Sequence, residues 1–183
     1  MNWKKALSFF ACAVFIFMAD VFLKAYTHYE IPPITSSSPV YPYGGIGVFR
    51  GWHGIDFSIV HVINRGAAWG VFSSLHDYLL YARMAIIGGL VSYLLFIKAS
   101  AYRKFSLMLI TTGALGNVVD YFVYGHVVDM FYFNFWGYSY PVFNIADSAI
   151  FMGIVLLLNE ALTGKFKQKR SSKKQSINPI SEK

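Results

Sequence analysis

The sequence predicts an all-α membrane protein, four transmembrane helices with a small extracytoplasmic β-sheet. Hydrophobic residues make up 56% and aromatics 19% of its 183 residues, against 14% charged, more apolar surface than a soluble fold of this size can bury. Four apolar stretches, 6–26, 78–97, 105–124 and 142–162, each approach the roughly 20 residues that cross a hydrocarbon core about 30 Å thick. The segment between the first two, 27–77, is too long for a mere link and carries strand-like alternation.

The first stretch follows Lys4 and Lys5. It resembles a signal peptide, but it is long and lacks a clear small-x-small cleavage site, so it reads as a retained anchor. In the next segment, 31–47 is rich in Pro, Ser, Tyr and Gly and is expected to be irregular. Beyond it Ile55, Phe57, Ile59 and His61 alternate with Asp56, Ser58 and Val60, and His53-Gly54 can turn the chain back from a strand near Val48. Lys98, Arg103 and Lys104 join the second and third stretches, and Lys165, Lys167, Lys169, Arg170, Lys173 and Lys174 follow the fourth. The segment after the first stretch holds only Arg50 and Arg65, and the one after the third holds no Lys or Arg. Lys and Arg concentrate in cytoplasmic segments, so both termini are expected in the cytoplasm. The chain divides into a transmembrane domain, 1–164, with its insertion 27–77, and a basic disordered tail, 165–183.

The net charge of +7 does not point to nucleic acid, because the basic residues flank apolar runs instead of forming a patch across a folded surface. Cys12 is the lone cysteine, so neither a disulfide framework nor a thiolate metal cluster is expected. A zinc site is also not expected: there is no H-E-x-x-H pair, and the histidines are scattered. Ser148 has no nearby His or Lys in sequence to act as its base. No internal repeat is visible.

The acids are the unusual feature. At about 1.5 Å of rise per residue, Asp20 lies about 22 Å above Lys5, Asp120 about 24 Å above Lys104, and Asp147 about 27 Å above Lys165. Asp129 falls in the loop between the third and fourth stretches, within the apolar run VVDMFYFNF. Asn64, Asn117 and Asn144 join this belt at one depth. Ionisable residues are costly there and are functional candidates for that reason. Two carboxyls a few ångströms apart do not both ionise easily. Such a pair can hydrolyse a peptide bond, the charged member taking a proton from water and the neutral one donating to the carbonyl oxygen. Structural readings stay open beside this one. Asn144 and Asp147 suit an N-cap and a first helical turn, as does Asp77; Lys24 is placed for an ion pair with Asp20; Asp120 and Asn117 share a helical face that can bind a neighbouring helix.

The strings themselves resemble lipoprotein signal peptidase (signal peptidase II) over most of the chain. The spacing from Asp20 to Lys24 looks like that family's first motif, and NRGAAWG at 64–70 is similar to its second. GALGNVVDYFVYGHVVDMFYF at 113–133 and PVFNIADSAI at 141–150 match its two most diagnostic blocks. The resemblance implies that Asp129 and Asp147 are the catalytic pair, that Asn64, Gly66, Asn117, Asp120 and Asn144 shape the pocket and bind substrate, and that Asp20 supports the site. It further implies an aspartic endopeptidase without cofactor or metal, working as a monomer among membrane lipids in the bacterial plasma membrane. Its substrates would be prolipoproteins carrying diacylglycerol on a cysteine, cut just before that cysteine at the extracytoplasmic face. One departure is Tyr121, where the family usually has Arg. A phenol cannot make the bidentate charged contact of a guanidinium. From the residues alone, a proton- or ion-coupled transporter and a non-catalytic assembly factor are the competing classes.

Overall fold

The computed structural model describes residues 2–35, 41–65, 76–96 and 98–177. In chain order they form α1 (Trp3–Glu30), β1 (Ile46–Trp52), β2 (Ile55–Asn64), α2 (His76–Phe96), α3 (Ala101–Tyr124), β3 (Val127–Phe135), β4 (Tyr138–Ser139) and α4 (Ile145–Ile177). The helix ends follow their local chemistry. Asn2 caps α1 by accepting the Lys4 N–H, Ser100 caps α3 by accepting the Arg103 N–H, and Gly125 closes α3 in the left-handed conformation (φ 75°), where a residue without Cβ is least strained. Asp77 lies in the first turn of α2.

The polarity of the fold is inverted relative to a soluble protein. Phe10, Phe15, Phe22, Phe151 and Leu158 are exposed, whereas Asp20, Lys24, Thr27, Asp120 and Asn144 are buried. Only a solvent less polar than the protein's own centre makes that arrangement favourable. Among the described residues Trp3–Glu30, Ala101–Tyr124 and Ile145–Thr163 are long and apolar enough to cross a membrane; Leu80–Phe96 in α2 is a shorter apolar stretch.

Helices α3 and α4 approach most closely, through small residues. A Cβ on Gly113 would fall 2.2 Å from the Ala146 carbonyl oxygen, and one on Gly153 2.6 Å from that of Ser106, so glycine is required for the backbones to meet. A Cβ on Gly116 would lie 2.7 Å from Asp20 Oδ2, which brings α1 into the same seam.

The four strands form one antiparallel sheet in the order β1-β2-β3-β4. The expected pairing around His53-Gly54 is present as β1 and β2. The run containing Asp129, expected to be a loop, is instead β3, paired along β2 from Ile55↔Phe135 to Asn64↔Val127 with an irregularity between Ile59 and Val62. Val127 to Met130 are buried and the rest of the strand is half-buried, so its sequence is apolar almost throughout and lacks the polar alternation of a half-exposed strand. The helical backbone of α4 continues to Ile177, into the basic stretch that begins at Lys165; Lys, Gln and Arg are good helix formers and the first proline after the span is Pro179.

Candidate active site

Strand alternation decides what β3 offers to each side. Val127, Asp129, Phe133 and Phe135 face a cavity of about 690 Å³, with Asn64, Arg83, Asn117, Tyr140, Pro141, Val142, Phe143, Asp147, Ser148, Phe151 and Met152 completing its lining. Met130 points the other way, toward α1, where its sulfur lies 3.8 Å from Thr27 Oγ1. The aromatic wall is ordered by stacking. Phe57 and Phe133 lie 4.3 Å apart at 9°, and Phe133 stacks on Phe135 and Phe143 at 5.7 and 6.0 Å.

Asp147 opens α4 in a reciprocal cap with Asn144. Its N–H donates to Asn144 Oδ1 (2.8 Å), and its Oδ2 accepts the Asn144 N–H (3.3 Å), the geometry of a capping box. The capping reading of Asn144 and Asp147 is therefore present in the structure. The same asparagine also reaches the other carboxyl, since Asn144 Nδ2 donates to Asp129 Oδ1 at 2.7 Å. Asn64 Nδ2 donates to Asp129 Oδ2 at 2.8 Å, and Asn117 Nδ2 to Asp147 Oδ1 at 2.8 Å. Every carboxylate oxygen of the two acids thus accepts from a side-chain amide or backbone N–H, and one buried asparagine binds both. Burial first, and the Asp147 charge second, push the Asp129 carboxyl up to about 7, against the opposing hydrogen bonds from Asn64 and Asn144. Burial disfavours the charged form and a neighbouring carboxylate adds to that.

Below this pair Lys24, fully buried, spends its three ammonium protons on Asp20 Oδ2 (2.7 Å), Asp120 Oδ2 (2.8 Å) and Asn117 Oδ1 (3.0 Å). An ammonium only donates, so it fixes which end of the Asn117 amide faces it and turns the amide nitrogen toward Asp147. The ion pair expected between Asp20 and Lys24 is present and is wider than expected, taking in Asp120. Asp20 Oδ1 accepts the Ala146 N–H at 2.8 Å, and Asp120 Oδ2 accepts the Val128 N–H at 3.2 Å. The two acids tie α1 to α4 and α3 to β3, and neither lines the cavity. Asp20, Asn64, Asn117, Asp120, Asn144, Asp129 and Asp147 are thus brought into one network; Gly66 lies outside the described residues.

Sequence reasoning left three features aside. Lys24 entered it only as a partner of Asp20, while its reach to α3 depends on helix packing. Arg83, half-buried on α2, contributes to the cavity wall. His28, His61 and His126, far apart in the chain, place ring nitrogens within 4.8 Å of one another. Ser148 lines the cavity, but its hydroxyl donates to the Asn144 carbonyl at 3.0 Å. Tyr121 packs against the cluster of Leu80, Ile87 and Val118.

Apolar helices around a buried carboxylate and amide centre define an integral membrane protein whose polar chemistry is gathered at one cavity. The chain belongs to the signal peptidase (SPase) II family, whose model matches residues 12–163. It is 42% identical over 109 residues to a lipoprotein signal peptidase of Chlamydia pneumoniae and 47% identical over 110 residues to one of Burkholderia ambifaria strain MC40-6, in each case over 58% of this chain. The matched stretches span 65% and 66% of those relatives' lengths, just under two thirds. A bacterial membrane enzyme solved by the in meso method at 2.3 Å is 26% identical, with a TM-score of 0.70 over 96% of this chain and 93% of its own. Another, at 1.9 Å, is 29% identical, with a TM-score of 0.65 over 85% and 92%.

Proposed function

We propose that this chain is a membrane aspartic endopeptidase that removes the signal peptide from diacylglyceryl-modified prolipoproteins, cutting just before the lipidated cysteine. The single observation that carries this reading is Asn144 bound to both Asp129 and Asp147 at the wall of an aromatic cavity. Family membership and the relatives' names support it. In this mechanism one acid works in its charged form and the other in its neutral form. The charged member takes a proton from a water, that water attacks the scissile carbonyl carbon, and the neutral member donates to the carbonyl oxygen. Asn64 and Asn117 hold the carboxyl planes, and Phe133, Phe135, Tyr140 and Phe143 offer an apolar wall to the signal peptide and acyl chains.

In this reading α2 supplies a fourth membrane span. Both termini face the cytoplasm, following the distribution of Lys and Arg, and the sheet with its carboxylates lies at the extracytoplasmic interface of a bacterial plasma membrane, where an acylated cysteine meets water. The protein acts as a monomer. Replacing Asp129 or Asp147 by Asn is expected to lower processing of a lipidated precursor about a thousandfold or more, followed on a gel, with the variant's melting temperature close to that of the parent. Full processing by either folded variant would overturn the assignment.

A further inference from the structure

The side of the β2–β3 ribbon turned away from the cavity holds a second cluster. His28 lies in the last turn of α1, His61 in β2 and His126 just before β3, and one ligand atom of each lies within 4.8 Å of the other two. Three buried nitrogens here, His28 Nδ1, His61 Nε2 and His126 Nε2, have no hydrogen-bond partner among the described residues. The opposite ring nitrogen of His61 is engaged: Nδ1 donates to the Ile31 carbonyl at 2.8 Å. A carbonyl accepts only, so the His61 proton sits on Nδ1 and its Nε2 carries a free lone pair. A backbone carbonyl holding the far nitrogen of an imidazole is the usual support of a histidine that binds a metal.

We propose that His28, His61 and His126 form a binding site for a single divalent transition-metal ion of the zinc class, fastening the end of α1 to the ribbon that carries Asn64 and Asp129. Three imidazoles suit zinc, copper, nickel or cobalt and disfavour magnesium or calcium. In a tetrahedral site with Zn–N of about 2.0–2.1 Å, ligand nitrogens are about 3.4 Å apart, so atoms already within 4.8 Å close on an ion by small side-chain rotations. His28 is only half-buried and offers the way in, and solvent completes the coordination. The rings also pack against each other and against Tyr124, which lies 4.4 Å from His28. That packing brings the rings together without supplying a hydrogen-bond partner for the three unpaired nitrogens among the described residues.

The test uses the full chain purified in detergent without a histidine tag and stripped with chelator. Zinc titrated into the stripped protein is expected to bind one ion per chain and to raise Tm by several degrees, and cobalt is expected to give the intense visible bands of a tetrahedral centre. His28→Gln, on the most accessible ligand, is expected to weaken zinc binding at least tenfold and to lose the Tm rise while keeping the metal-free Tm. The doubly substituted Asp129→Asn, Asp147→Asn chain is expected to keep both. X-ray absorption at the zinc edge of the unaltered protein is independent of any variant: a shell of imidazole nitrogens supports the site, and a shell of oxygens alone overturns it. Failure of micromolar zinc to bind, or binding that survives His28→Gln, also overturns it. Neither result bears on the peptidase reading, which stands on Asp129 and Asp147.

Discussion

The two faces of the β2–β3 ribbon solve the same problem differently. On the cavity face, the Asp129 and Asp147 carboxylates have partners for all their oxygens, supplied by Asn64, Asn117 and Asn144. On the α1 face, His28, His61 and His126 each leave a buried nitrogen without a partner among the described residues. An unmade hydrogen bond at a buried group costs about 1–3 kcal/mol, and buried polar atoms are nearly always satisfied. The completed network is built to hold acids in one geometry, whereas the incomplete one has the form of a ligand set. On the two proposals, hydrogen-bond completeness, more than burial or charge, separates a preorganised reactive centre from a site that gains its last partner from outside.

The comparison breaks if the carboxylate side tolerates loss of a partner, and the largest effect is expected at Lys24. Lys24→Met leaves Asp20 and Asp120 buried without their cation, and removing one member of a buried ion pair costs about 3–5 kcal/mol. The variant is expected to melt well below the parent in detergent and to accumulate poorly. Adding Asp20→Asn and Asp120→Asn should restore most of the loss, because neutral amides do not need the ammonium. An unchanged Tm for Lys24→Met alone would show that the network is not the support described.

A smaller effect sharpens the comparison through pH. With Asp129 pushed up to about 7, it holds its proton below that pH and loses it above, so turnover should fall on the alkaline side near 7 as a general acid disappears. The Asn64 hydrogen bond favours the charged form of Asp129 and so opposes the upward shift. Asn64→Leu removes it, the carboxyl moves further up, and the alkaline limb should move to higher pH by about one unit, since a hydrogen bond to a charged group is worth about 1.5–3 kcal/mol and a unit of pKa about 1.4. Maximal turnover is expected to drop about tenfold as the carboxyl loses its orientation. A pH–rate profile that keeps its alkaline limb in place would detach Asn64 from the titrating carboxyl.

What could be read in the sequence divides along physical lines. Apolar length exposed the helices, and sequence-local pairs such as Asp20 with Lys24 and Asn144 with Asp147 were legible because one helical turn defines them. The VVDMFYFNF strand was not, since a strand buried or half-buried along its whole length loses the period-two signal. The carboxylate centre was legible as acids at one depth, though only the family resemblance singled out Asp129 and Asp147. The histidine cluster was hidden for a different reason: positions 28, 61 and 126 meet only after a helix end, an internal strand residue and a loop residue have been packed together.

The smallest expected effect tests whether the cavity wall, not the paired carboxylates, reads the substrate. Tyr121 stands where the family usually has Arg, and it is used in packing against Leu80, Ile87 and Val118. Arg83, on the same helix as Leu80 and Ile87, is among the residues that line the cavity. If that cation helps to hold the substrate's backbone carbonyls while taking no part in proton transfer, Arg83→Gln should raise KM about threefold to tenfold, the worth of one charge-assisted contact partly replaced by an amide, and leave kcat and the position of the alkaline limb unchanged. A loss confined to kcat would place Arg83 with the reacting groups, and the division between a chemical centre and a recognising wall would have to be redrawn around it.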